Sequence, residues 1–343
     1  MRAIVCAPSG HLNIEERPAP VIPISSSLPY AEVRIKAFGV NRADLLQRAG
    51  HYPPPPHTPP DILGLEFAGE ITRFSGDVEV SGAFQVGDRV MGICDGAAYA
   101  ESIVVPRDQL LSIPEWMSFP QAAAIPEVHL TAFDALYHLA KVKRGERVLV
   151  HAIGSGVGVA AAHIAHFLGA EVIGTTRSAW KRDRALSELP VREVWLSEGG
   201  RFLPSKESES IDVILDFIGA AYLKENLRSL RTGGRIIAIG LLGGIKGEIN
   251  LGTLLTKRAT IKGTVLRSRS AQEKIKLTKN YAELVLPKLR PPPSPSVPLV
   301  LTEHPKDNVE VTPFYKVYNA QNMINAHQDL ESGQIWSKVI GEW

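Results

Sequence analysis

A glycine-rich segment near the middle of the chain has the residue types and spacing of a phosphate-binding turn. The apolar, strand-like run 147–150 leads into Gly154, Ser155, Gly156 and Gly158, and an alanine-rich, helix-prone segment follows. A strand that turns tightly into a helix directs unpaired backbone N–H groups and the positive end of the helix dipole at one point, which suits a diphosphate. Glycines at such a turn let the backbone approach the phosphates. We therefore predict a dinucleotide-binding site here.

The glycine spacing follows the looser form of the dinucleotide motif. Read from Gly156 through Gly158, the third position of GxGxxG is Ala161, which gives GxGxxA. Strand–helix turns that bind no ligand can have the same glycine pattern, so the motif predicts a binding site only together with the secondary structure around it.

The chain around this turn alternates between strand-like and helix-like segments. Strand-like runs at 147–150, 171–175, 211–216 and 235–240 are separated by helix-prone stretches. Alternating units of this length predict a parallel sheet with helices on both faces, in a Rossmann-type doubly wound domain. We place this domain at 123–270.

The rest of the chain has a different pattern. In 1–122, short strand-like runs lie between glycine and proline turns, which predicts an antiparallel, barrel-like domain. Segment 271–343 begins helix-like and ends strand-like, and we expect it to return to the first domain. Within it, the proline-rich stretch 287–312 predicts an exposed loop, because proline has no N–H to donate.

The composition is typical of a soluble globular protein and argues against several functions. Hydrophobic residues make up 44% and charged residues 22%. The 38 basic and 36 acidic residues give a net charge of +2, which argues against a nucleic-acid binder acting through counterion release. The two cysteines, Cys6 and Cys94, form no disulfide framework and no four-cysteine zinc site, so we expect a cytoplasmic setting. Without a run of about 18 apolar residues, we expect no membrane span.

A series of short motifs spans most of the chain, in the order 41–48, 52–55, 62–66, 121–127, 130–133, 155–158 and 266–269. Together they resemble the zinc-independent medium-chain dehydrogenase/reductases, in the NADPH:quinone oxidoreductase branch. Within that branch they are most similar to the p53-inducible quinone oxidoreductases, with the zeta-crystallins more distant. The resemblance implies an α/β chain with a GroES-like antiparallel β-barrel catalytic domain and an inserted Rossmann domain that binds NADPH.

The resemblance also bears on metal. Zinc-using relatives carry a histidine at the position of Leu65, just before Glu66, together with a catalytic cysteine and a four-cysteine lobe. Catalytic zinc needs about three protein ligands and one open position. With Leu65 in place and two scattered cysteines, we predict no metal site, and metal-assisted oxidation of simple alcohols is not expected.

The end of the second strand of the Rossmann domain bears on the choice between NADH and NADPH. An NAD site usually places Asp or Glu about 20 residues beyond the glycines, whereas 174–181 contains no acid. The guanidinium of Arg177 can donate two parallel hydrogen bonds to a phosphate. Ser178 and Lys181 match residues that bind the 2′-phosphate in the family. We predict NADPH as the cofactor; an ordinary basic helix start is the alternative.

The resemblance implies contacts between the cofactor and residues from both predicted domains: Asn41, Thr131, Ser155, Gly156, Val157, Gly158, Thr176, Arg177, Ser178, Lys181, Phe217, Ile218, Gly240, Leu241, Leu242, Leu266, Arg267, Ser268 and Arg269. The last four form a stretch that closes over the cofactor in relatives.

At the reacting centre, the resemblance places Asn41 and Tyr52 over the nicotinamide, with Gln47 nearby. Hydride transfer needs little beyond positioning and exclusion of water. The Tyr52 hydroxyl could orient a carbonyl or pass a proton, and Asn41 could hydrogen-bond the substrate oxygen or the cofactor ribose. Without the family, a tyrosine before four prolines equally suggests simple packing.

His129 departs from the family, which usually has a large aromatic residue there. One interpretation is a packed, hydrogen-bonded histidine. The other is a proton donor or polar substrate contact near the nicotinamide.

These inferences lead to an NADPH-dependent oxidoreductase that transfers hydride to a quinone or conjugated enone without metal. Two alternatives stay open: an enoyl thioester reductase of a biosynthetic pathway, and a non-catalytic NADPH-binding or sensor protein of the zeta-crystallin type. Intact Asn41, Tyr52 and Thr131 favour an enzyme. Because relatives pair through their cofactor-domain sheets, we expect a homodimer, with 240–251 as a candidate edge strand.

Overall fold

The computed structural model describes residues 1–23, 28–75, 84–202, 211–290, 309–310 and 312–343. The chain divides into two compact units. Unit 1 comprises Met1–Leu130, Leu266–Pro287 and Thr312–Trp343, and unit 2 comprises Thr131–Val265 and Lys288–Val311.

The described strands, in chain order, are β1 Arg2–Cys6, β2 Leu12–Glu16, β3 Tyr30–Val40, β4 Glu66–Phe74, β5 Arg89–Ile93, β6 Ser102–Pro106, β7 Leu110–Ser112, β8 Arg147–Val150, β9 Glu171–Thr176, β10 Glu193–Glu198, β11 Arg201–Phe202, β12 Ile211–Asp216, β13 Leu230–Ala238, β14 Thr260–Gly263, β15 Leu289–Arg290, β16 Val309–Glu310, β17 Phe314–Asn319 and β18 Lys338–Glu342.

The described α-helices, in chain order, are α1 Arg42–Arg48, α2 Phe119–Ala123, α3 Pro126–Phe133, α4 Gly156–Phe167, α5 Ala179–Glu188, α6 Leu223–Ser229, α7 Leu251–Thr256, α8 Ala271–Leu284 and α9 Met323–Ser332. A π-helical turn over Asp134–Leu139 follows α3.

Unit 1 is built on a mainly antiparallel sheet. Its strands lie in the order β17-β18-β3-β4-β5-β7, with β6 also paired to β3, and the pair β17–β18 is parallel. Burial alternates over the first seven residues of β3, since successive side chains of a strand point to opposite faces, and the last four residues are all buried. The resulting core includes Ile35, Phe38, Phe67 and Tyr99, and it confirms the predicted GroES-like barrel domain.

Unit 2 contains a sheet with the order β11-β10-β9-β8-β12-β13-β14, in which only the short β11 is antiparallel to its neighbour. Counted from β8, the parallel strands follow the order 3-2-1-4-5-6 of a dinucleotide-binding fold. The order reverses between β8 and β12, and ligands of such sheets bind beyond the carboxyl ends of the strands at that point. The predicted Rossmann architecture is thus confirmed.

The limits of the units differ in detail from the sequence-based division. The sequence pattern assigns segments 123–130 and 266–270 to the Rossmann domain, whereas the structure groups both with unit 1. The neighbouring helices explain this, because α2 packs on β3 and β4, and α8 packs on β7.

The proline-rich stretch joins two short strands of unit 2. β15 and β16 pair in parallel, with Leu289 opposite Val309. The predicted loop 287–312 falls mostly on residues 291–308, which lie outside the described residues.

The far edge of the parallel sheet is β14, whose four residues are exposed. The sequence offers 240–251 as a candidate edge strand, but the described chain forms no strand there, and α7 begins at Leu251. Among the described helices, none is long and apolar enough to cross a membrane.

Candidate functional site

The glycine-rich turn forms as the sequence predicts, at the start of α4 in unit 2. Ser155 is the N-cap of α4, and its Oγ accepts a hydrogen bond from the Gly158 N–H at 3.1 Å. The first N–H groups of any α-helix have no acceptor within the helix, so those of Gly156 and Val157 are left to other partners. A Cβ added at Gly158 would lie 2.5 Å from the Ala152 carbonyl oxygen. Only glycine lets α4 pack this closely on the turn, and the resulting helix N-terminus fits a diphosphate.

The end of β9 offers cationic and hydroxyl groups and no carboxylate. The Ser178 N–H donates to the Thr176 Oγ1 at 3.2 Å, while the Ser178 side chain makes no capping hydrogen bond to α5. Burial lowers the pKa of Lys181, and the nearby positive charge of Arg177 lowers it further. Two cations close enough to repel each other are a suitable donor set for a phosphate group, whose charge would offset that repulsion.

A buried polar network, which the sequence reasoning missed, ties the strand ends together next to this turn. His151 follows β8; its Nε2 donates to the Asn226 Oδ1 at 2.7 Å, and its Nδ1 lies 2.9 Å from the Thr175 hydroxyl. The Asn226 amide donates to the Asp216 carboxylate, which also accepts two backbone N–H groups. Burial lowers the pKa of His151, which keeps the ring neutral. The network fixes the carboxyl ends of β8, β9 and β12.

The loops after β12 and β13 bring another predicted set together. The Leu242 N–H donates to the Phe217 carbonyl at 3.2 Å, and the Gly243 N–H donates to the Ile218 carbonyl at 2.7 Å. A Cβ at Gly240 would lie 3.0 Å from the Phe217 oxygen. The structure therefore places Phe217 and Ile218 beside the Gly240–Leu242 segment, at the same edge of the sheet as the α4 turn.

In unit 1, Asn41 belongs to a buried charged cluster. Its Nδ2 donates to the Glu66 Oε1 at 2.8 Å, and its Oδ1 accepts from the Lys338 Nζ. Lys338 and Glu66 form an ion pair at 2.5 Å with side chains 2% and 0% exposed. A Cβ at Gly39 would lie 2.1 Å from the Glu66 carboxylate, so this strand position requires glycine. Each polar atom of the Asn41 side chain thus has a protein partner, while the second hydrogen of Nδ2 can still donate.

Two further acids face this cluster. Glu127 donates its backbone N–H to the Glu66 Oε2 at 2.9 Å. Burial raises the pKa of the Glu127 carboxyl to about 8, and the negative charge of Glu66 adds to the shift. Asp44 is fully buried, and its desolvation raises its pKa to about 6 despite hydrogen bonds from the N–H groups of Asn41 and Gly64. Lys338 and Lys274 oppose the shift without cancelling it, so the cluster favours a protonated Glu127 near neutral pH.

Gln47, Tyr52 and Arg267 lie together in a second cluster of unit 1. The Arg267 Nη2 donates to the Gln47 Oε1 at 2.8 Å, and the Arg267 Nε donates to the Asp95 carbonyl at 2.7 Å. The Arg267 guanidinium lies over the Tyr52 ring, 5.2 Å from its centroid. Burial raises the pKa of Tyr52, Glu127 raises it further and Arg267 opposes the change. Tyr52 therefore keeps its hydroxyl proton.

His129 is fully buried in unit 1. Its Nε2 lies 2.7 Å from the Thr312 hydroxyl and its Nδ1 lies 2.9 Å from the Tyr281 hydroxyl. Burial lowers the pKa of His129 to about 3. These contacts favour the packed, hydrogen-bonded interpretation over a proton donor, because both ring nitrogens already have partners and the ring is neutral.

The remaining predicted residues are distributed over both units. Thr131 is partly buried at the start of unit 2, in α3, and Leu266 is buried while Ser268 is exposed in unit 1. Sequence reasoning missed Lys338, Glu127 and Asp95. One usable signal is the lysine that begins the largely buried strand β18, and another is Gly39 near the end of the apolar part of β3.

Comparison with known proteins agrees with this architecture. Residues 30–115 match the family described as alcohol dehydrogenase GroES-like domain, and residues 156–280 match the family described as zinc-binding dehydrogenase. Over 249 residues the chain is 34% identical to a quinone oxidoreductase of Sus scrofa, which covers 70% of this chain and 73% of the relative.

Solved structures give the same result. A quinone oxidoreductase from Pseudomonas syringae pv. Tomato DC3000 superposes with a TM-score of 0.79 at 25% identity, covering 100% of this chain and 99% of the other. The CurK enoyl reductase superposes with a TM-score of 0.75 at 25% identity, covering 99% and 98%. The chain therefore belongs to the medium-chain dehydrogenase/reductases, in their quinone oxidoreductase branch, and is an oxidoreductase that uses a nicotinamide cofactor.

Proposed function

We propose that the chain is a zinc-independent, NADPH-dependent reductase of quinones or conjugated enones. The observation that carries the cofactor choice is the end of β9, where Arg177, Ser178 and Lys181 supply donors and no carboxylate is present. An acid at this point would accept the ribose hydroxyls of NADH and repel a 2′-phosphate.

Unit 2 has the groups needed to hold the cofactor. The N–H groups at the start of α4 bind the diphosphate, and the β9 cations bind the 2′-phosphate. The His151–Asn226–Asp216 network keeps the strand ends in place, since each buried polar atom in it has a partner. When bound, the reduced nicotinamide supplies a hydride to the acceptor.

Unit 1 has the groups needed on the acceptor side. Tyr52 retains its proton and can donate a hydrogen bond to an acceptor oxygen or pass a proton to it. Asn41 and Gln47 bind protein groups that hold them in place, and we propose that the second amide hydrogen of Asn41 donates to the acceptor oxygen or the cofactor ribose, while Gln47 positions Arg267. His129 likewise supports packing, through Thr312 and Tyr281.

The donor set in unit 1 does not fit a catalytic zinc ion. Leu65 stands before Glu66, and the Glu66 carboxylate is bound by Lys338, Asn41 and the Glu127 N–H. Within the described residues, no group of three or more His, Cys, Asp or Glu side chains is arranged to hold a metal. We therefore derive no step through a metal, and we expect dialysis against a chelator to leave the reductase activity unchanged.

The cofactor choice is tested by removing the two cations at the end of β9. We expect the Arg177→Ala and Lys181→Ala double variant to lose NADPH affinity by on the order of tenfold or more, because a charge-assisted hydrogen bond contributes about 1.5–3 kcal/mol. NADH affinity should change little. Arg182→Ala is the matched control, because Arg182 lies on the same helix and pairs with Asp183. Equal losses for both cofactors, or no loss, would refute the assignment.

A second candidate acceptor is an enoyl thioester, favoured by the match to the CurK enoyl reductase over nearly the full chain. The chemistry differs only in the acceptor, since hydride again adds to an electron-poor carbon conjugated to a carbonyl. NADPH oxidation with matched quinones, enones and enoyl thioesters separates the two candidates. A preference of tenfold or more in kcat/KM for the thioester, about 1.4 kcal/mol, would favour the second.

We also propose a homodimer formed through the exposed edge of unit 2. Large apolar side chains are exposed in the segment that precedes β14, including Ile245, Leu251 and Leu255, with Leu255 76% exposed. Apolar patches of this kind usually mark an interface. Sedimentation that gives a monomer mass at micromolar concentration would refute the dimer.

A further inference from the structure

Arg267 is a buried cation whose charge is not matched within its cluster. It is 6% exposed, and its Nη1 has no hydrogen-bond partner. Among the described residues it forms no ion pair, because Asp95 offers it only the backbone carbonyl. A buried charge is costly unless it is paired, and an unpaired buried N–H adds to the cost.

The charges around Arg267 leave a surplus of positive charge. The Asp95 carboxylate accepts from the Lys274 Nζ and lies 2.9 Å from the His57 Nε2. Lys274 is itself buried and also donates to the Arg267 carbonyl at 2.9 Å. The carboxylate of Asp95 is therefore paired with Lys274, and it forms no ion pair with Arg267. Glu127, whose charge acts on Tyr52 and which Lys274 affects in turn, has its pKa raised by burial to about 8, which favours its neutral form near pH 7.

The protein holds the Arg267 fork in a fixed orientation. Nε and Nη2 are bound by Asp95 and Gln47, and the carbonyl of the same residue is bound by Lys274. The Tyr52 ring covers the guanidinium face. One donor, Nη1, thus has no protein partner, and the tyrosine whose ring covers this guanidinium keeps its hydroxyl proton. Donors of these two kinds stabilise an oxygen that gains negative charge.

We propose that Arg267, together with Tyr52, binds the acceptor oxygen that becomes negatively charged as hydride arrives. This inference rests on the proposed reductase function and deepens it. As hydride adds to the conjugated system, the carbonyl π pair moves onto oxygen, and a proton from solvent through Tyr52 then gives the hydroxyl product. NADPH is the reductant and is oxidised to NADP+. The partners of Arg267 all lie in unit 1, whereas unit 2 has its own donors for the cofactor phosphates, which favours an acceptor oxygen as the occupant.

The test uses 4-nitrophenol as a probe of the oxyanion site, in the presence of NADP+. We expect the wild-type protein to lower the pKa of bound 4-nitrophenol by about one unit or more, because the charged donors favour the phenolate. Arg267→Met should abolish this shift and lower kcat/KM for quinones by about tenfold to a hundredfold, the size of one charge-assisted hydrogen bond. NADPH affinity should stay within about twofold of wild type.

Two further variants keep the result interpretable. Arg267→Lys keeps the positive charge but has a single ammonium group in place of the planar guanidinium. We expect it to lower the pKa of bound 4-nitrophenol less than wild type does and more than Arg267→Met does. Arg73→Gln removes the same charge from an exposed ion pair of unit 1 and should leave every readout unchanged. The phenolate titration needs no turnover, so it can be read even if no acceptor is reduced.

Three results would overturn the proposal. The first is no shift of the phenol pKa by the wild-type protein, which decides the question even if Arg267→Met does not fold. The second is a loss of NADPH affinity in Arg267→Met with the shift intact, which would make Arg267 a cofactor contact. The third is a full shift in a stable Arg267→Met variant.

Discussion

Two buried cations of unit 1, Lys338 and Arg267, differ in whether their charge is matched. Lys338 forms an ion pair with Glu66 and a hydrogen bond with Asn41. Arg267 is nearly as buried, yet its partners are a carbonyl, an amide and an aromatic face, and one of its donors has none. A buried charge that pairs with an opposite charge is compatible with a stable fold. A buried charge without such a pair lowers the stability of the protein, and a ligand-binding role can explain its presence.

The same contrast separates the two units. In unit 2 the polar groups at the strand ends satisfy one another through His151, Asn226 and Asp216. Unit 2 also presents the backbone N–H groups at the start of α4 and two cations after β9, Arg177 and Lys181, and we propose that these groups bind anions. Unit 1 instead presents side-chain donors.

Removing one partner of the buried ion pair between Lys338 and Glu66 should have the largest effect on stability. We expect Lys338→Met to lower the free energy of unfolding by about 3–5 kcal/mol, because Glu66 would be left buried without its counter-charge. Adding Glu66→Gln should recover a large part of the loss, since the remaining amide is neutral. Urea denaturation of the two single variants and the double variant measures this. Additive losses would show that the pair is not coupled.

His129 is a buried side chain with a hydrogen-bond partner at each ring nitrogen, and a substitution tests whether it contributes to stability without taking part in the reaction. We expect His129→Phe to lower the unfolding free energy by about 1–3 kcal/mol, because the hydroxyls of Thr312 and Tyr281 lose their partner. The pH profile of kcat/KM should keep its shape, since the neutral ring donates no proton to substrate. If the variant instead lost one of the pH-dependent changes in kcat/KM that wild type shows, His129 would act as an acid or a base in the reaction.

Glu127 gives a pH-dependent test of the charged cluster around Lys338. Its pKa in the folded state is raised from 4.5 to about 8, by burial and by Glu66 and Asp44, while Lys338 and Lys274 oppose the shift. The folded state therefore holds the proton more tightly, and this contribution is present below the unfolded pKa and lost as pH rises through about 8.

We accordingly expect the stability of wild type relative to Glu127→Gln to fall by about 1 kcal/mol or more between pH 5 and pH 9, since one pKa unit corresponds to 1.36 kcal/mol. Urea denaturation of both proteins at several pH values measures the difference. A constant difference across this range would place an ordinary, ionised carboxylate at Glu127.

The smallest effect is expected at an exposed ion pair. Arg73→Gln removes a contact to Glu32 from a side chain that is 60% exposed. Such pairs contribute about 0–1 kcal/mol. A loss as large as that of Lys338→Met would mean that burial does not govern these charges.

The sequence predicted the fold and the phosphate-binding turn because their signals are local. The βα alternation, the glycines before α4 and the acid-free end of β9 are each readable within a few tens of residues. The clusters of unit 1 were not predicted, because their members are distant along the chain: Arg267 and Gln47 are 220 residues apart. His129 could not be assigned from its neighbours, since Thr312 and Tyr281 approach it only in the folded chain.

The most direct test of the proposed function is the steady-state oxidation of NADPH and NADH, by protein of measured zinc content, with a quinone as acceptor. We predict turnover by zinc-free protein, with kcat/KM at least about tenfold higher for NADPH than for NADH. Activity that depends on stoichiometric zinc, or an equal or greater preference for NADH, would contradict it.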